Sequence, residues 1–148
     1  MASAFQIALN LLSGRELSER QLRERLTRRK CDAEDIDAAV ERLRGDGTLN
    51  DRRVALAVAR RESVIRHRGR ARVLQKIREI GIAESIADAA VDEIFGEIDE
   101  DDLLNRALER RLKGKTAADL DDKGRARIVR GLMAQGFGAG DILKRLRR

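Results

Sequence analysis

Four features of the sequence could carry chemistry: the lone histidine, the lone cysteine, an acidic cluster and a glycine–lysine pair. His67 lies in Ile65-Arg-His-Arg-Gly69, where like charges oppose its protonation and no carboxylate close in sequence would orient it as a general base. The pair Gly114-Lys115 is not part of a Gly-x-x-x-x-Gly-Lys-Ser/Thr phosphate loop. Neither feature predicts catalysis, and His67 is interpreted as an exposed linker residue.

The cysteine and the acidic cluster also favour structural roles. Basic neighbours at 28–30 could lower the pKa of Cys31, but the internal repeat described below places Ile82 and Phe137 at the equivalent positions. Cys31 is therefore interpreted as a small core residue. The acids of 99–102 lie at the start of a predicted helix, where negative charge is stabilised by the helix dipole. We expect no enzyme, no bound metal and no cofactor.

Composition predicts an all-α protein. The chain has 148 residues, of which 42% are hydrophobic, 39% charged and 2% aromatic, and it contains no proline. Ala, Leu, Arg and Glu are strong helix formers, and the apolar spacing is helical throughout. One cysteine and one histidine exclude a disulfide framework and a Cys/His metal cluster. No apolar run reaches the ~18 residues of a membrane span, and we expect a soluble cytoplasmic protein.

Charge is distributed in blocks. The net charge is +6, which permits either a nucleic acid or an acidic protein as partner. Residues 60–78 carry eight Lys and Arg residues and one acid, whereas residues 79–105 carry ten acids and no Lys or Arg. Such blocks could polarise the surface and steer association with a charged partner. The alternative is that they are ordinary solvated helix faces.

A helical template recurs along the chain. A shift of 51 residues relates five apolar positions, and a further shift of 55 relates four of them to a third set. The sets are Leu22, Leu26, Cys31, Val40 and Leu43; Val73, Ile77, Ile82, Val91 and Ile94; and Ile128, Leu132, Phe137 and Leu146. Gly81 and Gly136 fall at equivalent places, where a helix end favours a left-handed backbone, and Lys30 stands there first.

The repeat predicts three tandem three-helix units, over 3–47, 48–96 and 98–148. A unit of about 50 residues with a thin aliphatic core is marginal alone, so each should pack on its neighbours. We therefore expect an elongated, curved all-α array with a long binding surface. A single compact helical bundle is the alternative. Local patterns predict a Ser18 capping box, an Asp32 cap, one opening helix over 51–66 and a loop over 114–124.

Three-helix units with a glycine turn also suggest a helix-turn-helix, in which the third helix would enter the DNA major groove. The third helices, predicted over 33–44 and 83–95, are rich in acids, which phosphates would repel. Sequence-specific DNA reading is therefore disfavoured. Weak contact with the DNA backbone through 60–78 or 123–130 stays open.

Four segments in order along the chain resemble the RecX family, regulators of the bacterial RecA recombinase. These segments are Leu12, Arg15, Ser18 and Leu22 to Leu26; Gly47-Thr-Leu-Asn-Asp51; His67 to Ile82; and Leu132-Met-Ala-Gln-Gly-Phe137 with Ile142 and Leu146. Arg70 replaces the proline usual after Gly69. The resemblance implies a helical repeat protein that lodges in the groove of the RecA filament on single-stranded DNA. There it would reduce ATP hydrolysis, strand exchange and co-protease activity, or hasten filament loss.

Charge selects the residues expected to contact the filament or its phosphates. They are Arg66, Arg68, Arg70, Arg72, Lys76 and Arg78 in the middle unit, and Arg125, Arg127 and Arg130 in the third. We expect a monomer with no membrane partner. The alternatives are a protein that binds the DNA backbone directly and a helical adaptor for another acidic partner.

Overall fold

The computed structural model describes residues 2–147, and these residues form nine α-helices without a strand. The first three are α1 (Ala4–Gly14), α2 (Glu19–Arg28) and α3 (Ala33–Gly45). The next three are α4 (Asp51–Arg60), α5 (Arg70–Glu79) and α6 (Glu84–Gly96). The last three are α7 (Glu100–Leu112), α8 (Asp122–Ala134) and α9 (Ala139–Leu146). A π-helical turn, Arg61–Ile65, continues α4, and a 3₁₀ helix, Ala117–Asp119, precedes α8.

Each successive set of three helices has its own apolar core, so the prediction of an all-α helical repeat is confirmed. We call the sets unit 1 (α1–α3), unit 2 (α4–α6) and unit 3 (α7–α9). The unit cores are centred on Leu22, Leu26, Val40 and Leu43; on Val73, Ile77, Val91 and Ile94; and on Ile128, Leu132, Ile142 and Leu146. The residue boundaries of the three predicted repeats stay a prediction, and residue 148 lies outside the described range.

The second and third helices begin at the predicted cap residues, Ser18 and Asp32. Ser18 forms the predicted capping box, because its hydroxyl accepts from Gln21 N and the Gln21 side chain accepts from Ser18 N. Asp32 occupies the predicted cap position of α3, but its side chain accepts no backbone hydrogen bond. The turn between the second and third helices of each unit is left-handed, with φ of 63° at Lys30, 84° at Gly81 and 109° at Gly136.

Two predicted elements differ from the structure. The helix expected over 51–66 leaves α-geometry at residue 61, where the Ser63 hydroxyl donates to the Ala59 carbonyl at 2.6 Å and competes with regular backbone bonding. The loop expected over 114–124 ends early, because Asp121 caps α8 by accepting from Gly124 N at 2.7 Å. That cap outweighs the low helix propensity of Gly124.

Units 1 and 2 meet where the start of α2 contacts the turn between α5 and α6. The hydroxyl of Ser18 donates to the carbonyl of Ile80, and the Arg20 guanidinium donates to the carbonyl of Glu79 at 2.5 Å. A Cβ added at Gly81 would overlap the Arg20 side chain. The turn of unit 2 therefore lies directly against the first residues of α2.

Units 2 and 3 meet in the same way. Gly69 N donates to the Gln135 carbonyl at 2.9 Å, and Ala71 N to the Gly136 carbonyl at 3.4 Å. Ser18 and Gly69 are equivalent under the 51-residue shift, as are Ile80 and Gln135 under the 55-residue shift. Both junctions therefore use one contact, which we call the turn joint: the carbonyls at the end of one unit's second helix face donors at the start of the preceding unit's second helix.

The turn joint satisfies groups that each helix end leaves unpaired, since the last carbonyls and first amides of a helix lack partners within it. Close approach is required at the second joint, because a Cβ at Gly69 would lie 2.5 Å from the Gly136 carbonyl carbon. The apolar core is also continuous there: Phe137 packs against the cores of units 2 and 3, and Leu103 of α7 belongs to the unit 2 core.

The exposed area supports the expected elongated shape. The chain exposes 9337 Å², whereas a compact monomer of the same mass would expose about 7,600 Å². Much of the surface of each unit therefore stays in contact with solvent, and an extended face is available for a partner.

Gly136→Ala tests the turn joint. The new Cβ would lie 2.7 Å from Arg72 N on a backbone with φ of 109°, so we expect unfolding to become easier by about 2 kcal/mol or more. The matched control is Gly140→Ala, because a Cβ there meets nothing within 4 Å and α9 is helical. The control should be neutral or stabilising. Urea denaturation followed by circular dichroism measures both, and equal stability of the two variants would contradict the turn joint.

Asp51→Asn tests a pH-dependent contact of the first joint. Burial raises the pKa of Asp51, as does the charge of Glu19, although its Oδ1 accepts from Glu19 N at 2.8 Å. A raised folded-state pKa favours the protonated form. The wild type should therefore lose stability relative to the asparagine variant as pH rises from below ~3.9 through the folded-state pKa. Urea titrations of both proteins at pH 3.5 and 7 measure this, and a wild type favoured by the higher pH would contradict it.

Candidate functional site

The four predicted contact residues of α5 have acidic partners within the chain. The Arg72 guanidinium lies 3.6 Å from Glu79, and the Lys76 ammonium lies 4.0 Å from the same carboxylate. Arg78 bonds to Glu84 at 2.6 Å. Their charge is thus partly neutralised before any partner binds, although each pair is partly exposed and contributes little to stability.

Arg70 is a bridge between two units. Its guanidinium lies 2.5 Å from Asp92 of α6 and 3.1 Å from Glu100 of α7, and 5.3 Å from the centre of the Phe95 ring. Burial alone would lower the pKa of Arg70, but the hydrogen bonds to the two carboxylates outweigh it and raise the pKa. Arg70 stands where the family pattern has a proline, and its ion pairs connect unit 2 to unit 3 at the surface.

Arg66 and Arg68 surround a buried carboxylate on the π-helical turn. Glu62 is only 1% exposed, and its oxygens lie 3.4 Å from Arg66 Nε and 3.8 Å from Arg61 and Arg68. Arg68 N also donates to the Glu62 backbone carbonyl at 2.9 Å. Within residues 2–147, Glu62 Oε2 has no hydrogen-bond partner. Three guanidinium groups thus lie around one buried carboxylate, and their outer parts are exposed to solvent.

His67 connects that turn to unit 3. Its backbone is left-handed, with φ of 55°, which is uncommon outside glycine, and its carbonyl accepts from Gln135 Nε2 at 2.6 Å. Burial lowers the pKa of His67, as do the positive charges of Arg110 and Arg106. The side chain is half-buried at a junction between units, which differs from the exposed linker residue expected.

The α7 arginines 106 and 110 were missed by the sequence analysis, as were the apolar Val64 and Ile65. The side chains of both apolar residues are exposed, at 56% and 71%. In the sequence, Val64 and Ile65 are visible as two adjacent apolar residues between arginines. Arg106 and Arg110 are visible as two basic residues four positions apart. Only the folded chain shows that the apolar pair is exposed and that the two α7 arginines lower the pKa of His67.

The three arginines predicted in unit 3 divide into one inner and two outer residues. Arg125 donates to the carbonyl of Leu146 at 3.0 Å and to that of Ala117 at 3.5 Å, so it ties α8 to the end of α9. Arg127 and Arg130 are exposed on α8, and neither has an ion-pair partner among the described residues. These two therefore differ from the other predicted contacts in being exposed without an acidic partner among the described residues.

The acidic block 79–105 meets basic residues of its own chain. The α6 acids pair with Arg52, Arg70 and Arg78 at 2.5–3.5 Å, and Glu97, just after α6, lies 3.8 Å from Arg60. Asp101 pairs with Arg145 of α9 at 2.8 Å, and Asp99 caps α7 by accepting from Asp102 N at 3.1 Å. Many residues of the charge blocks therefore form ion pairs that connect helices within the chain.

No other described group has the form of a reaction centre. Cys31 is half-buried and packs against the unit 1 core. Across the described range, His, Cys, Asp and Glu side chains form no group of three or more able to hold a metal ion. None of the helices in residues 2–147 combines the length and the apolar character that a membrane crossing requires.

Comparisons with known proteins agree on one family. A family model for the first three-helix domain of RecX matches residues 4–43. The chain is 34% identical to "Regulatory protein RecX" of Syntrophotalea carbinolica, over 95% of the chain and 92% of the relative. It is 31% identical to the protein of the same name from Vibrio campbellii, over 95% of the chain and 87% of that relative.

Solved structures share the fold. The crystal structure of RecX from Lactobacillus salivarius superposes with a TM-score of 0.80, at 17% identity, covering 97% of this chain and 92% of that one. A second crystal structure, of regulatory protein RecX, gives a TM-score of 0.79 at 21% identity over 97% of this chain and 70% of that one. The arrangement of three helical units is therefore shared with these proteins.

Glu62→Gln tests the buried carboxylate of the π-helical turn. Removing the negative charge leaves three guanidinium groups facing an amide, so we expect the free energy of unfolding to fall by about 1–2 kcal/mol, less than for a fully buried pair because the arginines are partly exposed. The control is Glu109→Gln on the exposed face of α7, which should change stability by under about 0.5 kcal/mol. Urea denaturation at pH 7 measures both. Equal effects would show that Glu62 has no special role.

Proposed function

The chain belongs to the RecX family of regulatory proteins, and from this we propose that it is a non-enzymatic regulator of the RecA recombinase. It binds the RecA filament on single-stranded DNA, lodges in the filament groove and reduces ATP hydrolysis, strand exchange and co-protease activity. The observation that carries the proposal is similarity along nearly the whole chain to proteins named as regulatory protein RecX. We also propose that the chain acts as a monomer in the cytoplasm.

The fold is physically suited to a filament. Three units joined end to end expose a long surface, and such surfaces bind extended partners in other helical repeat proteins. Exposed guanidinium groups at Arg66, Arg127 and Arg130 can meet acidic side chains or phosphates. Of the sequence-selected residues, Arg70 and Arg125 also connect elements of the fold, and we keep Arg66, Arg127 and Arg130 as the leading proposed contacts.

Regulation requires that the chain distinguish between states of the filament. A bound protein changes turnover only when its affinity differs between two states, because equal affinity shifts no equilibrium. A run of joined units that contacts more than one RecA subunit at once would meet this condition wherever two filament states hold those subunits differently.

The test is an ATPase assay with RecA from the same organism on single-stranded DNA. This chain, added at well below one molecule per RecA, should lower the rate of ATP hydrolysis and of strand exchange. The chain alone and RecA without DNA are the controls. Unchanged rates at every ratio up to equimolar would remove the proposal.

Direct binding to the DNA backbone is a second candidate function. It is favoured by Arg127 and Arg130, which are exposed and have no acidic partner among the described residues. It requires tight binding to naked single-stranded DNA with a log–log salt slope of about −0.7 per phosphate contacted. Fluorescence anisotropy between 50 and 300 mM salt measures this. Arg127→Gln with Arg130→Gln should reduce the magnitude of the slope by about 1.4 if this candidate is correct.

A further inference from the structure

The π-helical turn carries the two most exposed of the large apolar side chains among the described residues. Val64 is 56% exposed and Ile65 71%, compared with 49% for Met133 and 41% for Leu143. Exposing such side chains side by side has no benefit for folding, because burial would stabilise the chain. A π-helical turn within an α-helix is also frequent at functional sites. This segment is therefore distinct from the rest of the surface.

Basic groups frame the apolar pair. Arg61 and Arg66 come from the same turn, with side chains 49% and 53% exposed, and they are held near the buried Glu62. The Arg68 side chain, 31% exposed, lies 3.8 Å from the same carboxylate. The local charge is positive.

We propose that Val64 and Ile65, together with the neighbouring Arg61, Arg66 and Arg68, form a docking surface for an acidic protein face that contains an apolar pocket. We call this surface the π patch. The inference rests on the proposed function and names which part of the chain touches the protein component of the filament. An apolar centre inside a rim of arginines is the usual composition of a protein–protein hot spot.

The composition of the π patch favours protein over nucleic acid. Two aliphatic side chains at the centre cannot stack with bases as aromatic rings do, and they gain nothing from phosphates. An apolar pocket on a protein, in contrast, would bury them, while acidic side chains at its edge would pair with the arginines. Charge complementarity thus selects an acidic protein surface.

Two contacts position the patch. The Glu62 carboxylate lies 3.4–3.8 Å from Arg61, Arg66 and Arg68, and Gln135 of α8 donates to the backbone carbonyl of His67 at 2.6 Å. Side chains that are already positioned lose less entropy on binding. The hydrogen bond from Gln135 also connects the segment that follows the patch to unit 3.

The experiment compares Val64→Ser with Ile65→Ser against a matched pair, Met133→Ser with Leu143→Ser. Both pairs remove exposed apolar side chains, so neither should change the melting temperature or the helical content. Filaments of RecA from the same organism, assembled on single-stranded DNA with a slowly hydrolysed ATP analogue, are sedimented with each protein. The π patch variant should bind at least about tenfold more weakly than wild type, and the control pair should bind as wild type does.

A charge arm tests the rim. Arg61→Gln should weaken filament binding several-fold, whereas Lys123→Gln, on the exposed start of α8, should not. Naked single-stranded DNA of the same length is the second probe. A π patch variant that loses DNA binding and filament binding in equal proportion would overturn the inference in favour of a nucleic-acid contact.

The outcomes also separate the inference from the proposed function. Wild type that neither sediments with filaments nor alters ATP hydrolysis would remove both. Wild type that binds, together with a π patch variant that binds equally well, would overturn the π patch and leave the proposed function standing. Should the double variant melt at a lower temperature, Ile65→Ser alone gives the same comparison with the more exposed residue.

Discussion

The turn joint is the constraint on which the rest of the structure depends. Each unit has a thin core of aliphatic residues, and about 50 residues rarely make a stable domain of that kind alone. The carbonyls at the end of α5 and of α8 meet donors at the start of the preceding second helix, so each junction satisfies polar groups that would otherwise face a neighbour unpaired. Glycine at 81 and 136 allows both the left-handed turn and the close approach. The repeat in the sequence is therefore also a repeat of one contact.

Ion pairs shape what surface is left for a partner. The basic block of α4–α5 and the acidic block of α6–α7 lie against each other, and most of their charges pair within the chain. Partner binding must then use groups that this pairing leaves accessible. The π-helical turn does so in an unusual way, because a single buried carboxylate holds several guanidinium groups whose other faces point to solvent. Net charge alone, at +6, describes this surface poorly.

Sequence patterns predicted what is local or periodic. The helices, the Ser18 capping box and the left-handed turns follow from spacing, caps and glycine, because these depend on residues a few positions apart. The role of Arg70 could not be predicted, since its partners Asp92 and Glu100 lie 22 and 30 residues away on two other helices. The π-helical turn was hidden for a similar reason: its apolar pair fits a helical spacing, and only packing shows that the pair faces outward.

The contacts between units 2 and 3 differ in kind from those between units 1 and 2, so we expect the two junctions to differ in stiffness. Phe137 and Leu103 join the cores of units 2 and 3, whereas the unit 1 core, within the described residues, draws only on its own helices and meets unit 2 through polar contacts such as Ser18 to Ile80. Water can replace polar contacts at small net expense, but it cannot replace shared apolar packing. Units 2 and 3 should consequently be coupled more strongly to each other than either is to unit 1. Bending of the chain should therefore be concentrated at the boundary between units 1 and 2.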